Sequence, residues 1–279
     1  MIAWFGTGLM GSAFVERLRS HGETVVAYNR TFEKAKALEK FGARAVADPR
    51  EAAAGAAQVH IMLTDDAAVD ALLETLAGAI APGAVVIDHS TVAPALVVER
   101  FAKMASRNIR FLHAPVMMSP PMVRAGLGVM LVAGPQQTFD LVREGLQKLA
   151  PDVWYLGATP QKAATMKLFG NEMLIAAIAG LADGFALARS GGVAPSEALE
   201  LFNHFKLQGG LEFRGKKMVE GDFTPFFELV TARKDVRLML ETASDGSLHV
   251  LPAIAERMDE LIERGFGAQD LSVLGKASN

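Results

Sequence analysis

The stretch MIAWFGTGLMG, residues 1–11, decides how the rest of the chain is read. Its apolar run, Ile2 to Gly6, has the look of a short strand, and LMGSAFVERLRSHG (9–22) has helical spacing with Phe14 and Leu18 on one face. Between them sit Gly6, Gly8 and Gly11, the spacing G-x-G-x-x-G. At a strand-to-helix turn the first glycine allows a tight bend and the second lets a pyrophosphate approach the backbone. The third lets helix and strand pack closely, and the helix N-terminus offers free N–H groups to the phosphates. Gly6, Gly8, Leu9, Met10 and Gly11 are therefore assigned to a dinucleotide, against the alternative of a glycine-rich turn with no ligand. The stretch is not read as a signal peptide: it has no basic leader, and Glu16 and Arg17 follow at once.

Working outward, ETVVAYNR (23–30) is a β-branched second strand, and TFEKAKALEKFG (31–42) a helix with Thr31 as N-cap and Gly42 as its stop. The residue that reads the adenosine ribose is expected at the end of this second strand. An acid there would repel a 2′-phosphate, but the tip reads Tyr28-Asn29-Arg30-Thr31. Arg30 can pair with a phosphate, and Asn29 and Thr31 can donate hydrogen bonds to it, so NADP is favoured over NAD.

Strand-like runs then alternate with helical ones: 59–65, a helix from Asp66, 84–91, a helix after Pro94, 110–116, 129–134, a helix from Gln136, and 153–157. This pattern predicts an α/β domain with a doubly wound, mostly parallel sheet of the Rossmann kind over residues 1–159. From 160 to 279 only helical patterns are found, at 161–192, 195–206, 209–219, 226–243 and 250–264. The expectation is a long interdomain helix followed by an all-α domain. The apolar run MLIAAIAGLADGFALA (173–188) contains Asp183; it reads as a buried helix, too short and interrupted to span a bilayer.

The 279 residues carry a net charge of −3 and no basic run, which argues against nucleic acid as partner. Apolar residues make up 51%, so the chain can bury a large core. Without cysteine there is no disulfide, thiolate metal site or thiol nucleophile, no metal site is expected, and a reducing cytoplasm fits.

Further segments, in order, resemble the β-hydroxyacid dehydrogenases, the family of 3-hydroxyisobutyrate dehydrogenase, tartronate semialdehyde reductase and the glyoxylate/succinic semialdehyde reductases. DHSTVAPA (88–95) is similar to their D-x-S-T-x-x-P loop, and FLHAPV (111–116) to F-x-D-A-P-V. GATPQKAATMKLFGN (157–171) resembles their glycine turn and K-x-x-x-N helix. GDFTPFFELVTARKD (221–235) resembles a late segment ending in Lys-Asp, and GFGAQDLSVL (265–274) the closing G-x-G-x-x-D. The resemblance implies a hydride transfer between nicotinamide and a small carbonyl or 3-hydroxy acid. It makes Lys167 the general acid/base, with Asn171 one turn on, able to hold the lysine or bond the substrate. It places Ser90 and Thr91 where substrate and nicotinamide meet, Leu63, Thr64 and Thr91 against the cofactor, and Lys234 reaching to it, with Asp235 orienting that segment. A homodimer or homotetramer is implied, with a small molecule as the only other partner and no membrane.

The chain departs from the family after Ala-Pro-Val. Met117 and Met118 stand in place of a serine and a glycine, followed by Ser119, Pro120 and Pro121, and His113 replaces the usual aspartate. Prolines remove N–H donors and methionines make an apolar wall, which predicts a substrate bulkier or less acidic than a small hydroxy acid, with Ser119 as a partial substitute. His113 is read as structural. Two alternatives remain: an imine reductase on the same architecture, against which Lys167 counts, and a non-catalytic dinucleotide-binding protein.

Overall fold

The computed structural model describes residues 1–244 and 246–276, which form two compact units, 1–172 and 173–279 in chain terms. In the first unit, β1 (Ile2–Phe5), α1 (Leu9–Ser20), β2 (Val25–Tyr28), α2 (Phe32–Lys36), β3 (Arg44–Val46), α3 (Pro49–Ala53), β4 (Gln58–Ile61), α4 (Asp66–Leu76), β5 (Val85–Asp88), α5 (Pro94–Ser106) and β6 (Arg110–His113) alternate strictly. The strands make one fully parallel sheet of order β3-β2-β1-β4-β5-β6, so the order reverses beside β1, where Gly6 to Gly11 lie. Ligands of open α/β sheets bind at such a switch point. A second sheet follows. β7 (Val116–Met117) runs antiparallel to β8 (Val129–Val132), which runs parallel to β9 (Asp152–Tyr155), with α6 (Pro120–Ala125) and α7 (Gln136–Leu149) between them.

The strands β1, β4 and β5 are buried along almost their whole length, as expected of a sheet covered on both faces. Trp4, Phe14, Leu18, Ile87 and Leu112 fill one face, and Phe5, Ile61, Leu73, Leu76 and Val86 the other. Arg100 on α5, almost fully buried, ties α5 to α4 through Asp66 and Asp70 at 2.6 Å each. The strands are shorter than their apolar runs predict: Met62 to Asp65 and His89 to Thr91 are loops at the strand tips. The helix expected over 31–42 is α2 followed by a separate 3-10 turn at Glu39–Phe41, and the three-residue β3 escapes sequence reading because it is too short to show alternation.

The chain then enters α8 (Lys162–Ser190), a single helix of 29 residues. The strands end at Tyr155, near the compositional boundary at 159, whereas the two units divide within α8, because its first turns pack on the sheet unit through Ala163 and Ala164. The second unit continues with α9 (Pro195–Leu199), α10 (Leu201–His204), α11 (Leu207–Glu220), α12 (Leu229–Thr242) and α13 (Leu251–Leu261). Its core joins α12 to α13 through Leu229, Val236, Met258 and Leu261. Two buried carboxylates organise it: Asp270 accepts the N–H groups of Phe226, Phe227 and Ser272, and Asp183 those of His249, Val250 and Leu251 at the start of α13.

The expectation that 173–188 is a buried helix is overturned. Leu174, Ile175 and Ile178 are more than half exposed in the single chain. By length and composition alone α8 is also long and apolar enough to cross a membrane, its 18-residue window having a mean hydropathy of 1.5. The stretch 173–188 is 16 residues long and includes Asp183, whereas the helix that contains it runs over 29 residues. Hydropathy registers apolar side chains but not which surface covers them.

Candidate active site

The glycine turn has the geometry its spacing predicts. Gly6 has φ +93°, and a Cβ there would stand 2.1 Å from the Met62 carbonyl oxygen, so only glycine makes this bend. A Cβ on Gly11 would lie 1.9 Å from the Gly6 oxygen; this glycine lets α1 press against the turn. Over Gly8 there is open space: nothing lies within 4 Å of a Cβ built there. Gly8 is also the N-cap of α1, which has no side-chain cap and no acid in its first turn. An open backbone over an uncapped helix N-terminus fits an anionic pyrophosphate, so the residues present suit the nucleotide the family implies. Met10 is partly buried there, and Leu9 is exposed beside it.

Asn29 has a different place from the one expected. Its Oδ1 accepts the Thr7 N–H at 3.1 Å and its Nδ2 donates to the Thr31 oxygen at 3.0 Å, so its amide braces the glycine turn against the tip of β2. Arg30 and Thr31 remain exposed there. Arg30 faces Asp65, the N-cap of α4, whose carboxyl is held below its ordinary pKa by the Ala68 N–H, then the Thr64 hydroxyl, with a contribution from Arg30. The Thr64 hydroxyl is thus engaged by Asp65 at 2.8 Å. Sequence reading missed Asp65; the signal was an acid directly ahead of a helical pattern.

Ser90, expected to present its hydroxyl where substrate and nicotinamide meet, uses that oxygen as an acceptor within the fold. It is buried, its N–H bonds Asp88 at 2.9 Å, and its Oγ accepts the Leu63 N–H at 3.0 Å. Ser90 therefore locks the loop after β4 to the loop after β5. Thr91 beside it is exposed. Below this pair lies a buried histidine stack that the sequence did not announce. His60 Nδ1 and His89 Nε2 are 2.9 Å apart, His89 Nδ1 donates to the Ala114 oxygen at 2.7 Å, and both rings stack on Trp4. His113, fully buried with its Nδ1 3.7 Å from Asp88, joins this interior cluster, in keeping with a structural role.

Burial holds His60 well below its ordinary pKa and takes His89 down to about 4. Both are neutral in the fold, so the unfolded chain takes up protons that the folded chain refuses once the pH falls below about 6.5. Their contribution to stability is full above that pH and declines toward pH 4. Thermal unfolding should show a Tm fall on the order of 5 °C between pH 6.5 and 4.5 that is reduced in His60→Gln/His89→Gln. An unchanged fall in the variant excludes the stack as its source.

Lys167, on the second turn of α8, is half-buried. Its Nζ lies 3.0 Å from Asn171 Oδ1 and 3.7 Å from Met117 Sδ. Desolvation lowers its pKa, and among the described residues it has no carboxylate partner. A lysine so placed exchanges a proton more readily near neutral pH than a solvated one. Met117 and Met118, expected to share one wall, point to opposite faces, as successive residues at a strand end do. Met117 joins Val129 and Met166 beside Lys167, while Met118 packs on the sheet core and away from this wall. Ser119 is exposed as the N-cap of α6 and makes no side-chain capping bond. Lys234 and Asp235 sit on α12 in the second unit, paired with each other at 2.6 Å. The helical spacing that placed Lys167 with Asn171 could not reveal Gly170, whose contact with Met117 is made across fifty residues of chain.

Residues 1–157 match the family model of the NAD binding domain of 6-phosphogluconate dehydrogenase. Residues 162–277 match that of the NAD-binding domain of NADP-dependent 3-hydroxyisobutyrate dehydrogenase. The chain is 31% identical over 91% of its length to the cytokine-like nuclear factor N-PAC of Homo sapiens, of which this covers 46%. The chain spans about half the length of these curated relatives. It is 29% identical to an uncharacterized oxidoreductase of Shewanella frigidimarina, covering 91% of this chain and 88% of that one. Among solved structures, an imine reductase from Aspergillus terreus in complex with NADPH4 and dibenz[c,e]azepine superposes with a TM-score of 0.85. It is 26% identical, over 98% of this chain and 97% of that one.

Proposed function

Because the chain belongs to the β-hydroxyacid dehydrogenase family, with a dinucleotide-binding domain at its start, we propose that it is an NADP-dependent reductase/dehydrogenase. Its substrate on this reading is a small carbonyl compound or the corresponding hydroxy compound. The observation that carries the reading is the desolvated Lys167 held by Asn171.

When bound, the nicotinamide supplies the hydride for reduction or receives it in oxidation. The rest is the work of this chain's residues. Gly6, Gly8 and Gly11 shape a bed for the pyrophosphate against the N-terminus of α1, and Asn29 stiffens it. Arg30, exposed at the tip of β2, pairs with the 2′-phosphate. Ser90 and Leu63 fix the two loops at the sheet's switch point. In reduction Lys167 Nζ gives its proton to the carbonyl oxygen as the carbon gains the hydride, then recovers a proton from water. In oxidation the neutral amine takes the hydroxyl proton. Asn171 aims the amine by accepting one of its N–H bonds. A second copy of the chain is the cover we assign to the apolar face of α8, which makes the enzyme an oligomer; a cytoplasmic setting completes the reading.

Fluorescence titration with NADPH and NADH, followed by turnover on a panel of aldehydes and ketones, tests this. Arg30→Ala should weaken NADPH binding by roughly 10- to 100-fold, the worth of one charge-assisted phosphate contact, and leave NADH within about twofold. Equal losses for both nucleotides remove Arg30 from phosphate recognition, and no binding of either removes the enzyme reading.

A second reading, reduction of an imine, has one observation in its favour: the likeness to an imine reductase in complex with NADPH4 at 26% identity over nearly the whole chain. Supplying a ketone with a primary amine separates the two. Amine-dependent oxidation of NADPH supports the imine reading, and amine-independent oxidation the carbonyl one.

A further inference from the structure

The wall beside Lys167 names a substrate class for the site just proposed, and this inference rests on that proposal. Met117 ends β7, in register with Val129. Its sulfur contacts Lys167 Nζ, and its methyl group sits against Gly170 on α8. A Cβ at Gly170 would stand 2.5 Å from Met117 Cε and 3.3 Å from Sδ, so the bare glycine is the socket that admits the thioether. Met117 packs, with Val129 and Met166, on the buried cluster of Leu131, Ala133, Leu156 and Ala163. Met117 is therefore a seated part of the wall, set between the lysine and the turn that carries it.

The electrostatic consequence follows from what this wall lacks. The two neighbours of the Lys167 amine, an amide oxygen and a thioether, are both uncharged. Beyond Met117 the chain offers Pro120 and Pro121, which have no N–H, and the Val123 N–H is already taken by the Ser119 oxygen. A carboxylate laid against Met117 would lose its hydration and meet a thioether, which offers it no N–H or O–H in exchange. In reduction Lys167 does not supply the compensation, because its proton is committed to the reacting oxygen. An alkyl or aryl group on the same wall gains by burial against the polarizable sulfur.

We infer that Met117, seated on Gly170, is a specificity-determining residue that selects carbonyl compounds with an uncharged apolar substituent over those bearing a carboxylate.

The test compares two four-carbon aldehydes, butanal and succinic semialdehyde, which differ in a terminal methyl against a carboxylate. With NADPH, the kcat/KM ratio of the wild-type protein should favour butanal by about tenfold or more. Met117→Ser, which opens the wall and adds a hydroxyl, should move the ratio toward succinic semialdehyde by about tenfold, while Met117→Leu, similar in volume and equally apolar, keeps it within about twofold. Gly170→Ala denies the thioether its socket without altering residue 117, and should lower the butanal preference too; it stands in if Met117→Ser does not fold. A wild-type preference for succinic semialdehyde, or a ratio unmoved in both Met117→Ser and Gly170→Ala, overturns the inference while leaving the carbonyl reductase reading in place. Turnover of neither aldehyde, nor of any carbonyl in the panel, overturns the reading and the inference together.

Discussion

Lys167→Ala lowers kcat for carbonyl reduction by about 10³-fold and leaves NADPH binding unchanged. The size is that of a positioned proton donor, on the order of 10²–10⁴-fold. The split between kcat and nucleotide affinity follows from where the residue stands. Lys167 bonds Asn171 and Met117, whereas the glycine turn and Arg30 belong to the tips of β1 and β2. The pH dependence carries the same signature. Desolvation sets the lysine's pKa below its ordinary 10.5, and reduction needs the protonated form. The rate of reduction should therefore fall as the pH rises through that lowered pKa, and the rate of oxidation should rise over the same range. In Lys167→Ala both limbs vanish. Steady-state rates from pH 6 to 10, with hydride-transfer rates from single turnovers, check this. A variant that keeps wild-type kcat ends the role of Lys167 as proton carrier, whatever its effect on KM.

Asp183→Ala should cost the second unit about 3 kcal/mol or more, a fall of roughly 10 °C in its unfolding temperature. Asp183 is 3% exposed, and its two oxygens receive three backbone N–H groups, from His249 at 2.9 Å, Val250 at 2.8 Å and Leu251 at 3.0 Å. These are the donors at the start of α13, which has no cap of its own from Val250. Alanine leaves them buried or frayed without an acceptor, and removal of a partner from a charge-assisted group costs more than the bond contributes in net terms. Asp183→Asn keeps one acceptor oxygen and should lose less. The acid limb has a defined sign. Burial by itself would raise the pKa of Asp183, but the three donors outweigh it and the carboxyl titrates below its ordinary value. Its contribution is present above the unfolded value and is lost as the pH falls through the folded one. Calorimetry of both variants checks the ranking. An alanine variant as stable as wild type shows that α13 is held by its apolar face alone.

Much of the candidate site is legible in the chain because it is built from local geometry. The glycine spacing at 6, 8 and 11 encodes a bend, an opening and a close approach within one turn, and each finds its physical counterpart at that residue. Lys167 and Asn171 meet because four residues make one helical turn. Other assignments shift for equally physical reasons. Asn29 and Ser90 carry hydrogen-bonding groups that suit a ligand, yet both are used to brace loops, since loops at the strand tips leave backbone groups that need partners. Met117 and Met118 are neighbours in sequence and turn to different surroundings, because a strand alternates its side chains.

By itself the sequence determines the alternation that makes a parallel sheet, the turn that accepts a pyrophosphate, the helical half of the chain and the pairing of lysine with asparagine. All of these depend on residues within a few positions of one another, where backbone geometry leaves little choice. Only the tertiary structure decides that His60 and His89, 29 residues apart, are hydrogen-bonded in a stack on Trp4, and that Gly170 is the socket for Met117. It alone also shows that the apolar middle of α8 is left uncovered by its own chain. These depend on which surfaces meet after the chain has crossed and recrossed the sheet, and a side chain's hydrophobicity is the same whatever it meets.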